Sequence, residues 1–291
     1  MNPTGTKLHP KEFLRAALKR IIGEFGLKIG RALLHPKQLL EEAIKIGPQT
    51  IRALFLFKKP FPLIQHYRYR TSPSEKRIQL RDGKQLILSN HRLDPLVLFQ
   101  VFCERVYTTD WNDVIVDVGA NIGLFSLYAA FNSAQKVHAF EPNREAYNVM
   151  LENIRRNNLQ TIIIPHNYAV TSRSSEVVSI PKAASPQNRI SYKNVGRDQD
   201  EYELVNTISL DDIVSRENMS RVDLLKMDCE GSEYEILEGM SESTFSKINR
   251  IIVEYHDGKV GELTEKLKQH GFKLEKQSQE SVTMGMLWFR R

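Results

Sequence analysis

Short apolar runs alternate with amphipathic stretches along the second half of the chain. Strand-like runs fall at 113–118, 136–141, 161–166, 222–228 and 249–255, and helix-like stretches at 122–131, 143–157, 232–239 and 259–269. Two further strands, 272–277 and 284–290, close the chain. Strands alternating with helices of this length predict an α/β fold with a doubly wound, mostly parallel sheet. Between 171 and 208 the pattern breaks into a polar excursion containing Pro181, Pro186 and Gly196. A hairpin or loop over the ligand site is expected there. Upstream, Tyr67-Arg68-Tyr69 and Lys84–Ser89 read as strands, the latter after an Asp82-Gly83 turn, and Pro95–Cys103 as a helix.

Residues 10–57 show helical spacing instead. Phe13, Leu14, Ala17, Leu18, Ile21 and Ile22 share one face, while Lys11, Arg15, Lys19 and Arg20 share the other. Pro36 starts a second helix over Lys37–Lys45, and Gly47-Pro48 breaks it. Lys59-Pro60-Phe61-Pro62 ends the region, which divides the chain into a helical N-terminal extension, 1–64, and a main domain, 65–291.

Composition adds little to this except in its charge. The 291 residues are 41% hydrophobic and 26% charged, as in an ordinary globular protein. Cys103 and Cys229 provide neither a disulfide framework nor a thiolate cluster. Apolar runs such as Ala53–Phe57 are far too short to span a bilayer, and residues 1–20 lack the apolar core of a signal peptide. A soluble, cytoplasmic protein is the expectation. The net charge of +6, however, belongs to one end: residues 1–70 carry fourteen Lys/Arg against four Glu. The basic extension reads either as a helical cap on the main domain or as a surface that meets anionic lipid or an acidic substrate, which would make the protein peripheral at a membrane. Nucleic acid is not expected, because no aromatic platform is interleaved with the basic residues.

Candidate chemistry gathers at the predicted strand ends, where ligands of such sheets bind. The first strand ends in Asp117-Val118-Gly119-Ala120-Asn121-Ile122-Gly123. Gly119 permits a sharp turn close to a ligand, and Gly123 permits close helix packing. The spacing is not the Gly-x-Gly-x-x-Gly of a pyrophosphate cradle, and Asn121 stands where a diphosphate needs bare backbone. Asp117 suits a cation or amine better than a phosphate. S-adenosylmethionine, with a sulfonium, an α-amino group and no phosphate, fits this turn better than NAD. Glu141, eighteen residues beyond Gly123, is placed to accept both ribose hydroxyls of an adenosine. Asn143 reads as a helix N-cap, Asn167 as a contact to the adenine edge, and His166 as structural.

Asp228 and Glu230 end the fourth strand, beside the methionine part of such a ligand, and Glu254 and His256 end the fifth. Either carboxylate of the first pair is suited to orient or deprotonate a hydroxyl, and His256 has the intrinsic pKa of a general base. Asp228 and His256 are the favoured bases. A bland reading gives Glu230 a helix-capping role and leaves Glu233 and Glu235 in solvent. These side chains also suit a divalent ion, but no tightly spaced metal motif supports one, and none is expected.

With these residues in place the chain resembles the class I S-adenosylmethionine-dependent methyltransferases, and within them the FkbM family. The likeness covers roughly residues 85–257 and rests on Asn90-x3-Asp94, Val116–Gly123, Phe140-Glu141-Pro142, Thr207–Asp212, Leu225–Gly231 and Val253-Glu254. It implies a seven-stranded Rossmann-like sheet with an antiparallel last pair, and methyl transfer to oxygen on a sugar, glycan or secondary metabolite. Carried over, Asp117, Gly119, Asn121 and Glu141 hold the cofactor, while Asp228, Glu230 and Glu254 line the acceptor side; Ala120, Gly123, Asn167 and Asp228 complete the expected cofactor contacts. Two other functions compete: an NAD-dependent oxidoreductase, and a non-catalytic S-adenosylmethionine-binding or membrane-associated module.

Overall fold

The structure is a computed structural model and describes residues 47–69, 71, 75–89, 91–192 and 201–291. The N-terminal helices expected before residue 47, and Asn90 and Gly196, lie outside the described residues.

Arg52–Arg291 forms one compact unit. Two helices, α1 (Pro48–Leu56) and α2 (Pro60–Tyr69), lead into a small hairpin of β1 (Arg77–Gln79) and β2 (Gln85–Ile87). Ala53, Phe57 and Leu63 are buried in the same apolar cluster as Leu86 and Ile115, so residues 52–64 pack with the main domain. Tyr67–Tyr69, expected as strand, belongs to α2. Pro60 suits the first helical turn, where a missing N–H costs nothing, and the Tyr67 ring stacks on Phe99 at 4.2 Å between centroids. The helix expected from Pro95 begins as α3 (Asp94–Leu98) and continues as a π-helical turn, Phe99–Glu104, that Arg105 ends at φ +58°.

The central sheet follows. Its strands are β3 (Val114–Val118), β4 (Lys136–Phe140), β5 (Ile163–His166), β9 (Leu224–Met227), β10 (Arg250–Tyr255), β11 (Lys273–Gln279) and β12 (Gly285–Arg290). They lie in the order β11-β12-β10-β9-β3-β4-β5. Pairing is parallel from β10 through β5, and β12 runs antiparallel to both β10 and β11. Both faces of the parallel strands are covered, which explains their nearly unbroken apolar sequences. Seven strands with an antiparallel last pair are what the resemblance implies.

Helices α4 (Leu124–Phe131) and α5 (Arg144–Arg156) follow β3 and β4. Asn143 is the N-cap of α5, its side chain accepting from the Ala146 N–H at 2.8 Å. The polar excursion is a three-stranded sheet of β6 (Ala169–Val170), β8 (Tyr202–Ile208) and β7 (Val177–Pro181), in which β7 and β8 pair antiparallel. Two short helices went unread in the sequence, α6 (Leu210–Arg216) and α8 (Glu242–Lys247). Ser209 and Ser241 cap them, and their 7 and 6 residues are too few for a clear periodicity. The remaining helices are α7 (Glu233–Gly239) and α9 (Val260–Gln269). No helix among the described residues is long and apolar enough to cross a membrane.

The sheet's direction of winding reverses between β3 and β9. The crevice outside their carboxyl ends is where a ligand of such a sheet is expected.

Candidate functional site

A cleft of about 920 Å³, including its open mouth, lies at that point. One wall is the turn after β3, Gly119–Ile122, with Glu141 and Pro142 after β4 and Tyr168 and Ala169 beyond β5. The opposite wall is Lys226 and Asp228–Glu230 after β9. Val97, Gln100, Val101 and Tyr107 close one side, and Ser185, Asn188 and Ile190 of the excursion another.

The β3 turn consumes its own backbone donors. Gly119 N–H and Ala120 N–H donate to Phe140 O, Asn121 N–H to Glu141 Oε2 at 2.7 Å, Ile122 N–H to Asn121 Oδ1, and Gly123 N–H to Ala120 O. A pyrophosphate cradle needs such N–H groups aimed at the ligand. This turn offers a shaped wall instead. Gly119 sits at φ +73°, and a Cβ there would lie 1.9 Å from the Asp228 carbonyl oxygen. The close approach that demands glycine is thus to the β9 loop rather than to a ligand. A Cβ on Gly123 (φ +81°) would meet Met150 Cγ of α5 at 2.8 Å.

Glu141 is held by two backbone amides, Asn121 N–H on Oε2 and Asn143 N–H on Oε1 at 2.8 Å. Burial raises its carboxyl to about 7, even though those amides favour the charge. Its position on the cleft wall, with lone pairs to spare, suits paired hydroxyl donors.

Three expected cofactor contacts differ from expectation. Asp117 is fully buried and does not line the cleft: Ser126 Oγ donates to its Oδ2 at 2.6 Å, and Lys226 Nζ stands 3.0 Å from its Oδ1. The cation this carboxylate suits is a lysine of the protein itself. Gly123 lies behind the wall, against α5. Asn167 braces the β4 turn, donating from Nδ2 to the Glu141 and Pro142 carbonyls at 2.9 and 2.8 Å, and its neighbours Tyr168 and Ala169 face the cleft instead.

Lys226 also donates to Gly119 O at 2.7 Å and to Val118 O at 3.2 Å. Burial opposes its charge, but the Asp117 and Asp228 carboxylates outweigh it and raise its pKa. The lysine therefore ties β9 to the β3 turn. Sequence reasoning gave it no role, because its partners are more than a hundred residues away. Tyr107 was missed for the same reason; its hydroxyl donates to Asp228 Oδ2 at 3.1 Å.

At the acceptor end the structure brings Asp228, Glu230, Glu254 and His256 together, in two layers. Asp228 and Glu230 line the cleft, and Glu254 and His256 stand behind them. Burial and the Asp228 charge hold Glu254 protonated, with a pKa of about 10, and hydrogen-bonded to Asp228. Glu230, at φ +56°, titrates near 7 because burial and Asp228 outweigh the attraction of His256. His256 Nδ1 faces Glu233 Oε1 at 3.1 Å. Burial works against an imidazolium, yet Glu233, Glu230 and Asp228 raise its pKa.

The bland readings of this region fail. Glu230 caps no helix, and Glu233 is fully buried, accepting from the Cys229 and Gly231 N–H groups at 3.0 and 2.9 Å. Burial disfavours its charge, but His256 and these amides lower its pKa. Glu235 accepts hydrogen bonds from Ser172 and Tyr192 rather than standing in solvent.

The hexuronic acid methyltransferase AglP of Haloferax volcanii is 32% identical over 50% of this chain and 57% of its own length. The 31-O-demethyl-FK506 methyltransferase FkbM of Streptomyces tacrolimicus is 25% identical over 60% of this chain and 79% of its own. The AMB antimetabolite synthetase AmbE of Pseudomonas aeruginosa is 24% identical over 68% of this chain, which spans only 11% of that synthetase. Residues 117–274, more than half of the chain and including both walls of the cleft, match the methyltransferase FkbM domain, and the chain belongs to that family.

Proposed function

We propose that the chain is an S-adenosylmethionine-dependent methyltransferase that acts on a hydroxyl group of a small molecule or glycan. The observation that carries this reading is the β3 turn beside Glu141. The N–H groups of Gly119–Gly123 are all engaged within the protein, and the carboxylate beside them is held in place by two backbone amides, as a ribose contact requires. That combination favours an adenosine without a diphosphate and disfavours NAD. Two relatives are named for methyl transfer, one to a hexuronic acid and one at an oxygen position.

S-adenosylmethionine supplies an electrophilic methyl group on its sulfonium. The chain's own residues bind, align and exclude water. Glu141 accepts from the ribose hydroxyls, and Tyr168 and Ala169 bound the adenine side. Lys226 holds the Gly119 carbonyl and keeps the turn at a fixed distance from Asp228. Asp228 and Glu230 face the acceptor, whose hydroxyl proton leaves toward this rim as the new carbon–oxygen bond forms. Tyr107 orients Asp228, and Glu233 orients His256 behind Glu230.

Calorimetry with S-adenosylmethionine and with NAD tests the cofactor. Saturable binding of the first and none of the second is expected; binding of NAD alone would overturn the reading. A panel of hydroxylated sugars and polyketides, read by release of S-adenosylhomocysteine, tests the acceptor class.

A further inference from the structure

Asp228, Glu230 and His256 each bring a potential ligand atom to within 4.8 Å of the others. The two carboxylates stand in the loop after β9, and His256 is the first residue beyond β10. His256 is 3% exposed, and its Nε2 is buried with no hydrogen-bond partner. The nearest charged atom, Glu230 Oε2, is 3.5 Å away. A buried ring nitrogen left unpaired is costly, so its position needs a reason.

The other ring nitrogen supplies one. Glu233 Oε1 lies 3.1 Å from Nδ1, which in the neutral ring favours the proton there and leaves Nε2 turned toward Glu230 as the free ligand atom. A carboxylate fixing the far side of an imidazole is the arrangement that supports metal-ligating histidines. The local charge agrees. Asp228, Glu230 and Glu233 converge here. The neighbouring cation, Lys226, is 4.0 Å from Asp228 and is already engaged by Asp117 and two carbonyls. Arg189 pairs with Asp257 at 3.2 Å.

We propose that Asp228, Glu230 and His256 form a divalent-cation site at the acceptor end of the cleft. Two carboxylates and one imidazole suit manganese: the oxygens match a hard cation, and the imidazole matches a transition metal. Asp228 and Glu230 line the cleft, so the open coordination positions face it and can take the acceptor hydroxyl. A cation there orients that oxygen and lowers its pKa. In methyl transfer the O–H bond breaks, its proton leaves along the Asp228–Glu230 rim to water at the cleft mouth, and the oxygen's electron pair forms the bond to the methyl carbon as the sulfur–carbon bond breaks. Only the cation's role rests on the methyl-transfer reading; its binding does not.

The test uses the full chain, dialysed against a chelator, without S-adenosylmethionine or acceptor. Manganese binding is followed by electron paramagnetic resonance and calorimetry. One saturable equivalent is expected, weakened at least tenfold in Glu230→Gln and in His256→Asn. It should be unchanged in Glu217→Gln, which disables the other potential metal cluster among the described residues, His138, His166 and Glu217. Absence of saturable binding, or loss in Glu217→Gln alone, overturns the proposal. Circular dichroism and S-adenosylmethionine calorimetry on each variant establish that it is folded. They also report the cofactor reading separately, since that reading can fail while manganese still binds.

Discussion

Lys226 Nζ lies 3.0 Å from Asp117 Oδ1 with both side chains almost wholly buried, one on β9 and the other on β3. Removing one partner leaves the other charge stranded. Asp117→Ala is therefore expected to destabilise the fold by about 3–5 kcal/mol, measured by urea unfolding. Adding Lys226→Met should recover most of that loss. If Asp117→Ala instead leaves stability unchanged and only weakens S-adenosylmethionine, the carboxylate contacts the cofactor directly.

Gly119→Ala tests the contact between the same two strand ends. Its Cβ would stand 1.9 Å from Asp228 O at a φ of +73°, so the Asp228 loop must move. The variant is expected to lose several-fold in cofactor affinity and to melt at a lower temperature. Gly271→Ala, also at positive φ but with nothing within 4 Å, is the control for backbone strain alone.

Glu141 links cofactor affinity to pH. Its carboxyl titrates near 7 in the folded protein, against an ordinary 4.5. A carboxylate accepts two ribose hydroxyls and a protonated carboxyl does not, so affinity should fall as the pH drops below 7. The stability of the protein alone runs the other way. A raised carboxyl pKa means that the folded state binds more protons than the unfolded, so stability falls as pH rises from about 4.5 to 7. Glu141→Gln is expected to weaken S-adenosylmethionine by about 1.5–3 kcal/mol, the worth of hydrogen bonds to a charged group, and to flatten both profiles. Calorimetry and thermal melts across pH 5–9 check this.

Glu254 separates the protonated layer from the charged one. With a pKa of about 10 it is a hydrogen-bond donor to Asp228 at neutral pH, a role that a glutamine amide can fill. Glu254→Gln should change stability by less than about 1 kcal/mol, whereas Glu254→Ala should cost about 1–3 kcal/mol by leaving Asp228 short of a donor. Equal losses in the two variants would show that no hydrogen bond from Glu254 supports Asp228.

The alternation from Asp113 to Tyr255 determined the parallel sheet, because strands covered on both faces are apolar throughout and the period of their helices is visible locally. Glycine spacing, the position of Glu141 and the acids ending β9 and β10 determined where the cleft lies and which ligand it favours. Leu210–Arg216 and Glu242–Lys247 stayed hidden because so few turns carry no firm period, whereas the equally short Glu233–Gly239 was legible from its place directly after β9. Only the tertiary structure decided which charges are spoken for. Asp117 is claimed by a lysine 109 positions away, Asn167 by the carbonyls of Glu141 and Pro142, and Glu233, which one reading left in solvent, is fully buried beneath His256. Charge pairing at 3 Å depends on how strands are brought together, and residue spacing along the chain does not record that distance.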